Sequence, residues 1–289
     1  MAEIKITGVM RSGAFSPNHI GNDATIFNMV AEQLRKRGCI INIWSEEQFI
    51  SGEAHIEPVV LNMCREPRSI ELLQKLEDEG TLVKNSGYGI ENSTRERMTR
   101  LLMGSGIPYA VSFIADTDEV VKDRLQRAGI SRCWIKRGES HTKHREDVTY
   151  ARHAQEAQEL LQEFFLRGIK RAVINRHLEG DLVKFYGVAG TPFFYWFNPF
   201  EAGHSKYGAE SVNGPSEHIE FDVDTLKRYC AKASDVLDIK IYGGDCIISE
   251  EGEIRIIDFN DWPSFAPCRA EAAPVIARMV INEIKNRHK

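Results

Sequence analysis

The sequence predicts an α/β chain: a small parallel domain at its head, then subdomains in which strands and helices mix as α+β units. Three observations carry this. Strand-like and helix-like segments alternate through residues 1–88, later segments include strand pairs joined by short Gly-containing turns, and 289 residues is about twice the length of a typical single domain. The divisions expected are an α/β domain over 1–88, a lid subdomain over 89–171, and a metal-bearing and catalytic subdomain over 172–289.

Each element has a local reason. Ile4 to Val9 alternates as a strand, and Ile26, Val30 and Leu34 then recur at helical spacing until Gly38 stops the helix. Cys39 to Trp44, Val59 to Met63 and Thr81 to Val83 read as further strands, with a helix from Ser69 to Gly80. A helix over 93–104 is capped by Ser93 or Thr94 and buries Met98, Leu101 and Leu102. Ile107-Pro108 introduces a strand, 118–129 a helix, Cys133 to Lys136 a strand, and 147–168 one long helix. Ala172 to Asn175 and Leu182 to Val188 are expected as neighbouring strands turning at Glu179-Gly180-Asp181. The polar stretch 198–216 reads as a functional loop. A helix over 222–234, a hairpin of 238–249 with 253–260, and a helix from Arg269 to Arg287 complete the chain.

The balance of 37 basic and 42 acidic residues, a formal net charge of −5, argues against a general nucleic-acid binder. The amino terminus lacks a secretory pattern, and no apolar run approaches the ~20 residues of a spanning helix, so a soluble cytoplasmic protein without membrane contact is expected. Cys39, Cys64, Cys133, Cys230, Cys246 and Cys268 show no CxxC spacing, and read as buried reduced thiols. The charge is unevenly spread. Residues 131–145 hold five bases and one acid, whereas 245–261 hold six acids and one base.

The final hairpin is the most informative segment. Pairing about 250–252 sets Asp245 roughly opposite Asp258, and the two-residue period puts Asp258 and Asn260 on one face. Carboxylates inside apolar strands are costly unless neutralised, and two of them with an amide oxygen are hard ligands suited to magnesium and a nucleotide's phosphates. Lys136 ends an apolar strand and leads into Arg137-Gly138-Glu139-Ser140-His141, while Lys184 lies inside Val183-Lys184-Phe185-Tyr186. One such lysine alone reads as an exposed edge residue. Together with the acidic hairpin they read as the cationic side of a phosphate site.

This order of elements resembles the ATP-grasp superfamily over essentially the whole chain. The resemblance rests on Asn85-Ser86, on Ser93-Thr94-Arg95 with Leu101 to Pro108, on Lys136, on Val173 to Gly180, and most specifically on Asp245, Asp258 and Asn260. It implies a Rossmann-like leading domain before two subdomains that clamp ATP, with magnesium on Asp245, Asp258 and Asn260. Arg95, standing where the family carries lysine, joins Lys136, His141 and Lys184 as nucleotide contacts. Asn175, Arg176, His177 and Glu179 occupy the strand that meets adenine, though the family's Gln-Glu pair is here Asn175-Arg176. Lys184 and Arg137 take the catalytic roles. Glutathione synthetase, the ribosomal-protein glutamate ligases and the inositol trisphosphate kinases are the similar branches.

Two activities therefore stand. A carboxylate-amine ligase working through an acyl phosphate is expected on the frequency of that chemistry in the superfamily, although Thr191 to Ser205 contains no arginine to hold the acyl phosphate. A kinase acting on an alcohol is the alternative, and a non-catalytic nucleotide binder the third reading. The expected partner is a small polar anionic substrate, with a homodimer as one option. Ser12-Gly13 and residues 18–23, in the loop after the first strand, and Trp262-Pro263-Ser264-Phe265, beside the metal asparagine, are candidate acceptor contacts or ordinary packed turns. Phe193 to Phe197 reads as core, and His177 and His204, taken singly, as structural or surface residues.

Overall fold

A computed structural model describes residues 3–15, 20–138, 147–199 and 212–287. Its first sheet is wholly parallel, in the order β2 (Cys39–Ser45), β1 (Ile4–Met10), β3 (Val59–Asn62), β4 (Leu82–Lys84). Central β3 is buried at every position, as a strand covered on both faces must be. Helix α1 (Ile20–Arg35) buries Ile26, Phe27, Val30 and Leu34 on one side, and α2 (Glu46–Ser51) and α3 (Pro67–Asp78) bury Phe49, Ile70 and Leu73 on the other. Pro67 opens α3 at a position where its missing N–H costs nothing.

The last helix, α9 (Arg269–Arg287), matches its expected span and buries Ala272, Ile276 and Val280 in the same core as α1. The last helix thus packs on the leading domain in a core that Val188, Ile241, Trp262 and Phe265 share. The antiparallel catalytic sheet runs β10 (Phe194–Phe197), β9 (Asp181–Val188), β11 (Ile241–Ile248), β12 (Ile254–Asp261). Behind it pack α5 (Arg95–Gly104) and α8 (Val223–Leu237), through Met98, Leu102, Leu226 and Cys230 against Phe185, Cys246 and Phe259. Helix α4 (Gly87–Asn92) joins β4 to α5.

The third sheet, also antiparallel, runs β5 (Ser112–Asp116), β8 (Arg171–Arg176), β6 (Cys133–Arg137), β7 (Val148–Ala151), backed by α6 (Lys122–Arg127) and α7 (Ala154–Leu166). Two expectations change here. The single helix over 147–168 divides: Val148-Thr149-Tyr150 carries β-branched and aromatic residues that pair with β6, and the helix starts only after His153 accepts from the Glu156 N–H as its cap. The strands expected to pair, β8 and β9, lie in different sheets. Gly180 (φ +125°) lies so close to the Ile248 carbonyl that a Cβ would stand 2.0 Å from it, and the chain crosses there from one sheet to the other. Among the described residues no helix is long and apolar enough to cross a membrane. All six cysteines are buried and unpaired.

Candidate active site

Strand alternation builds the site. Lys184 on β9 pairs with Asp245 on β11, which pairs with Asp258 on β12, so three charged residues form a row across three adjacent strands. One step along, Tyr186, Gly243 and Asn260 form the next row on the same face. The sequence set Asp245 roughly opposite Asp258, and the bulged hairpin pairs them. Lys184 Nζ lies 3.0 Å from Asp245 Oδ1, and Arg95 Nη2, from the first turn of α5, lies 3.3 Å from Asp258 Oδ2.

A bulge at Asp245/Cys246 sets Cys246 against Ile256 and leaves Ile257 as the extra residue of β12. Lys136 Nζ, from the lid sheet, donates to that freed Ile257 carbonyl at 3.3 Å. This bond spans two sheets, and it brings the lid lysine to the carboxylate row. Burial drives the Lys136 ammonium down to about 8, against the pull of Asp258 and Asp245. Burial would raise the Asp258 carboxyl, but Arg95 and Lys136, with the Phe259 N–H and Lys184, outweigh it and hold the group below the usual carboxylate range. Asp258 is therefore ionised at neutral pH.

The face of the lid sheet follows from the same period. Cys133 and Ile135 point into the core under α6 and α7, so Trp134 and Lys136 point the other way, together with Val173 and Asn175 of β8. Asn175 is buried and donates to Ser112 Oγ at 2.6 Å, while its Oδ1 has no partner among the described residues. Trp134 packs on Tyr150 and donates to His177 Nδ1 at 3.2 Å, and burial with Arg132 nearby lowers the imidazole's affinity for a proton.

The structure does not gather every residue named from sequence. Arg137 follows Lys136 by one position and so points to the helix-backed side with Ile135. The Arg176 guanidinium is bound to the Ala128 and Gly129 carbonyls at the end of α6. Glu179 is exposed and paired with Arg132. His141, His204 and most of the loop 198–216 fall outside the described residues. The aromatic run is a half-buried edge strand in which Phe194 and Tyr195 pack on different cores.

Sequence reading missed a second polar cluster behind the hairpin. Arg11, just past β1, donates to Asp23 (2.8 Å), to Asp261 (3.4 Å) and to the Trp262 (3.2 Å) and Met63 (3.1 Å) carbonyls. Arg65, just past β3, reaches Asp261 Oδ1 at 3.0 Å. Buried Glu46 accepts from the Ser12, Arg65 and Glu66 N–H groups and from Ser69 Oγ, pinning both arginine-bearing loops. Asn85, one of the residues that carry the family resemblance, clips β4 to the start of β11, accepting from the Lys240 and Ile241 N–H groups and donating to the Ile241 carbonyl. The one available signal was the second acid in Asp258-Phe259-Asn260-Asp261, which alternation sends to the opposite face.

Among the described residues no three His, Cys, Asp or Glu side chains gather at a point. A cation at the row would rest on two carboxylates and the Asn260 amide, completed by waters and phosphate oxygens. That donor set fits magnesium, which keeps part of its hydration.

No protein-family model matches the sequence, and no curated protein does. Solved structures do match. The chain superimposes on a D-alanine–D-alanine ligase from Bacillus anthracis with a TM-score of 0.70 at 13% identity, covering 99% of this chain and 100% of that one. A RimK domain ATP-grasp protein from Sphaerobacter thermophilus gives 0.67 at 12% identity, covering 96% and 99%. The ATP-grasp ligase PsnB, solved with a minimal precursor, Mg and ADP, gives 0.63 at 15% identity, covering 97% and 98%. With the facing sheets, the charged row and the lid lysine in place, these likenesses show that the chain has the ATP-grasp fold.

Proposed function

We propose that the protein is an ATP- and magnesium-dependent carboxylate-amine ligase that acts through an acyl phosphate. The observation that carries this is the meeting of Lys136 from one sheet with the Lys184–Asp245–Asp258 row of the other. Asp245, Asp258 and Asn260 would hold magnesium, and Arg95, Lys136 and Lys184 would hold the phosphates. Bound magnesium supplies charge neutralisation on the transferring phosphoryl group. The orphaned Asn175 Oδ1, a buried acceptor on the same face as Lys136, suits the exocyclic amine of adenine. In the reaction a substrate carboxylate oxygen attacks the γ-phosphorus and ADP leaves. An amine then attacks the acyl carbon, phosphate leaves, and the amine gives up its proton to solvent.

The chemistry of the first step requires only positioning and electrostatics, which the row provides without a protein nucleophile. The neighbouring folds support ligation because PsnB and the Bacillus anthracis protein are named as ligases. A small polar anionic acceptor suits the cationic groups Arg95, Lys136 and Lys184 at the row, and buried thiols suit the cytoplasm. One observation favours the kinase alternative. Arg11 and Arg65, which reach the end of the hairpin, are already committed to Asp23 and Asp261, and Thr191 to Ser205 supplies no arginine.

A product assay decides. Candidate acids are incubated with ATP, magnesium and an amine donor, and ADP, free phosphate and the acceptor's mass are followed. Ligation predicts ADP and phosphate in equal amounts, with an amide formed only when both substrates are present. A stable phosphorylated alcohol without free phosphate would establish the kinase instead.

A further inference from the structure

We propose that Asp261 is a positioning residue, gripped by Arg11 and Arg65 so that the residue before it, Asn260, presents its amide to the cation. The proposal rests on the magnesium reading of Asp245, Asp258 and Asn260, and deepens it.

Asn260 faces the cleft, so Asp261 faces the leading domain, where its side chain is 1% exposed. Two cations meet it there, Arg11 from the end of β1 and Arg65 from the end of β3. Both also hold backbone: Arg65 Nη2 donates to the Asp261 carbonyl at 3.3 Å, and Arg11 Nη2 to the Trp262 carbonyl at 3.2 Å. The peptides on either side of Trp262 are therefore fixed from behind.

They need fixing. Trp262 has φ +24°, a region a bulky L residue enters only where its surroundings enforce it. The bend comes two residues after Asn260, so relaxation of Trp262 would rotate β12 where the amide projects. A merely cohesive role would not require two guanidinium groups on consecutive carbonyls. Nor would it place the grip beside a metal-site residue when the same two domains are already joined by Asn85 and by the packing of α9 on α1. Groups that orient a ligand from outside the coordination sphere commonly change metal affinity ~10–100-fold when altered.

The test compares the unaltered chain with Arg65→Lys, which keeps the charge but loses the planar grip, and with Asp261→Asn. Melting temperature is measured against ATP in EDTA and against ATP with increasing magnesium, a readout independent of turnover. The expected result for Arg65→Lys is an unchanged response to ATP in EDTA, because Arg95, Lys136 and Lys184 are untouched, and a ~10-fold higher magnesium concentration at half-effect. Asp261→Asn should show the larger shift. If Asp261→Asn does not fold, Arg65→Lys decides alone. A lowered melting temperature with the magnesium midpoint unmoved would overturn the proposal in favour of simple cohesion. Should the unaltered chain respond to ATP equally with and without magnesium, the metal reading itself fails, a result distinct from a midpoint shared by variant and parent.

Discussion

The two faces of β12 carry the same kinds of charge and use them differently. Toward the cleft, Lys184 and Asp245 keep 18% and 22% of their side-chain surface exposed, and Arg95 and Asp258 keep 10% and 19%. Toward the leading domain, Arg11 and Asp23 keep 5% and 9%, and Asp261 keeps 1%. Ion pairs that water still reaches can exchange partners with little loss, so the cleft pairs are suited to give their carboxylates to a cation and their cations to phosphate. Sealed pairs cannot, because removing either partner strands a charge in a medium that solvates it poorly. The difference separates a binding surface from a joint.

That contrast is open to direct attack. Arg11→Met should lower the unfolding free energy by ~3–5 kcal/mol, since it leaves Asp23 and Asp261 buried with less compensation, whereas Lys184→Met should lower it by under ~1 kcal/mol. Urea denaturation of the two variants checks this, and equal losses would erase the distinction. In turnover the order reverses. Lys184→Met should reduce the rate ~10²–10³-fold, the usual effect of removing one donor from developing transition-state charge, as read by ADP release at saturating substrates.

Asn85→Ala tests the joint at a neutral position. Three hydrogen bonds to the start of β11 are lost in a buried place, for ~1–3 kcal/mol, and the urea midpoint should fall between those of the Arg11 and Lys184 variants.

The smallest effect concerns pH. Lys136 sits at about 8 in the folded chain against 10.5 when solvated, so between those values the unfolded chain binds more protons. The resulting stability is complete above 10.5 and is lost as the pH falls through about 8. Stability relative to Lys136→Met should therefore rise between pH 8 and 10.5. ATP affinity in EDTA should fall over the same range as the ammonium discharges. A flat difference in melting temperature across that interval would show that Lys136 is not held in a poorly solvating place.

How much of this the sequence revealed depends on the distance over which each relation acts. The row at Asp245 and Asp258 was legible only approximately, because a regular hairpin about 250–252 sets Asp245 against Ile257 and the bulge moves Asp258 into that place. Lys136 was legible as a lysine in an apolar strand, though the bulge carbonyl that receives it was not. Arg11 and Asp261 lie 250 positions apart, and nothing local marks Arg11 except its place after the first strand. Strand β7 was hidden because the Ala- and Glu-rich run after it reads strongly as helix and drew the boundary backwards. The packing of α9 on α1 was hidden for a related reason: an amphipathic helix shows that it has a buried face, but not which core receives it.

The central claim is that the carboxylate row and the lid lysine together make one magnesium-nucleotide site. Titration calorimetry of ATP into the unaltered chain, Asp258→Ala and Lys136→Met, each with and without magnesium, tests it most directly. The account predicts magnesium-enhanced binding in the unaltered chain, loss of that enhancement in Asp258→Ala, and a ~10-fold or greater loss of affinity in Lys136→Met under both conditions. ATP affinity left unchanged by both substitutions would contradict it.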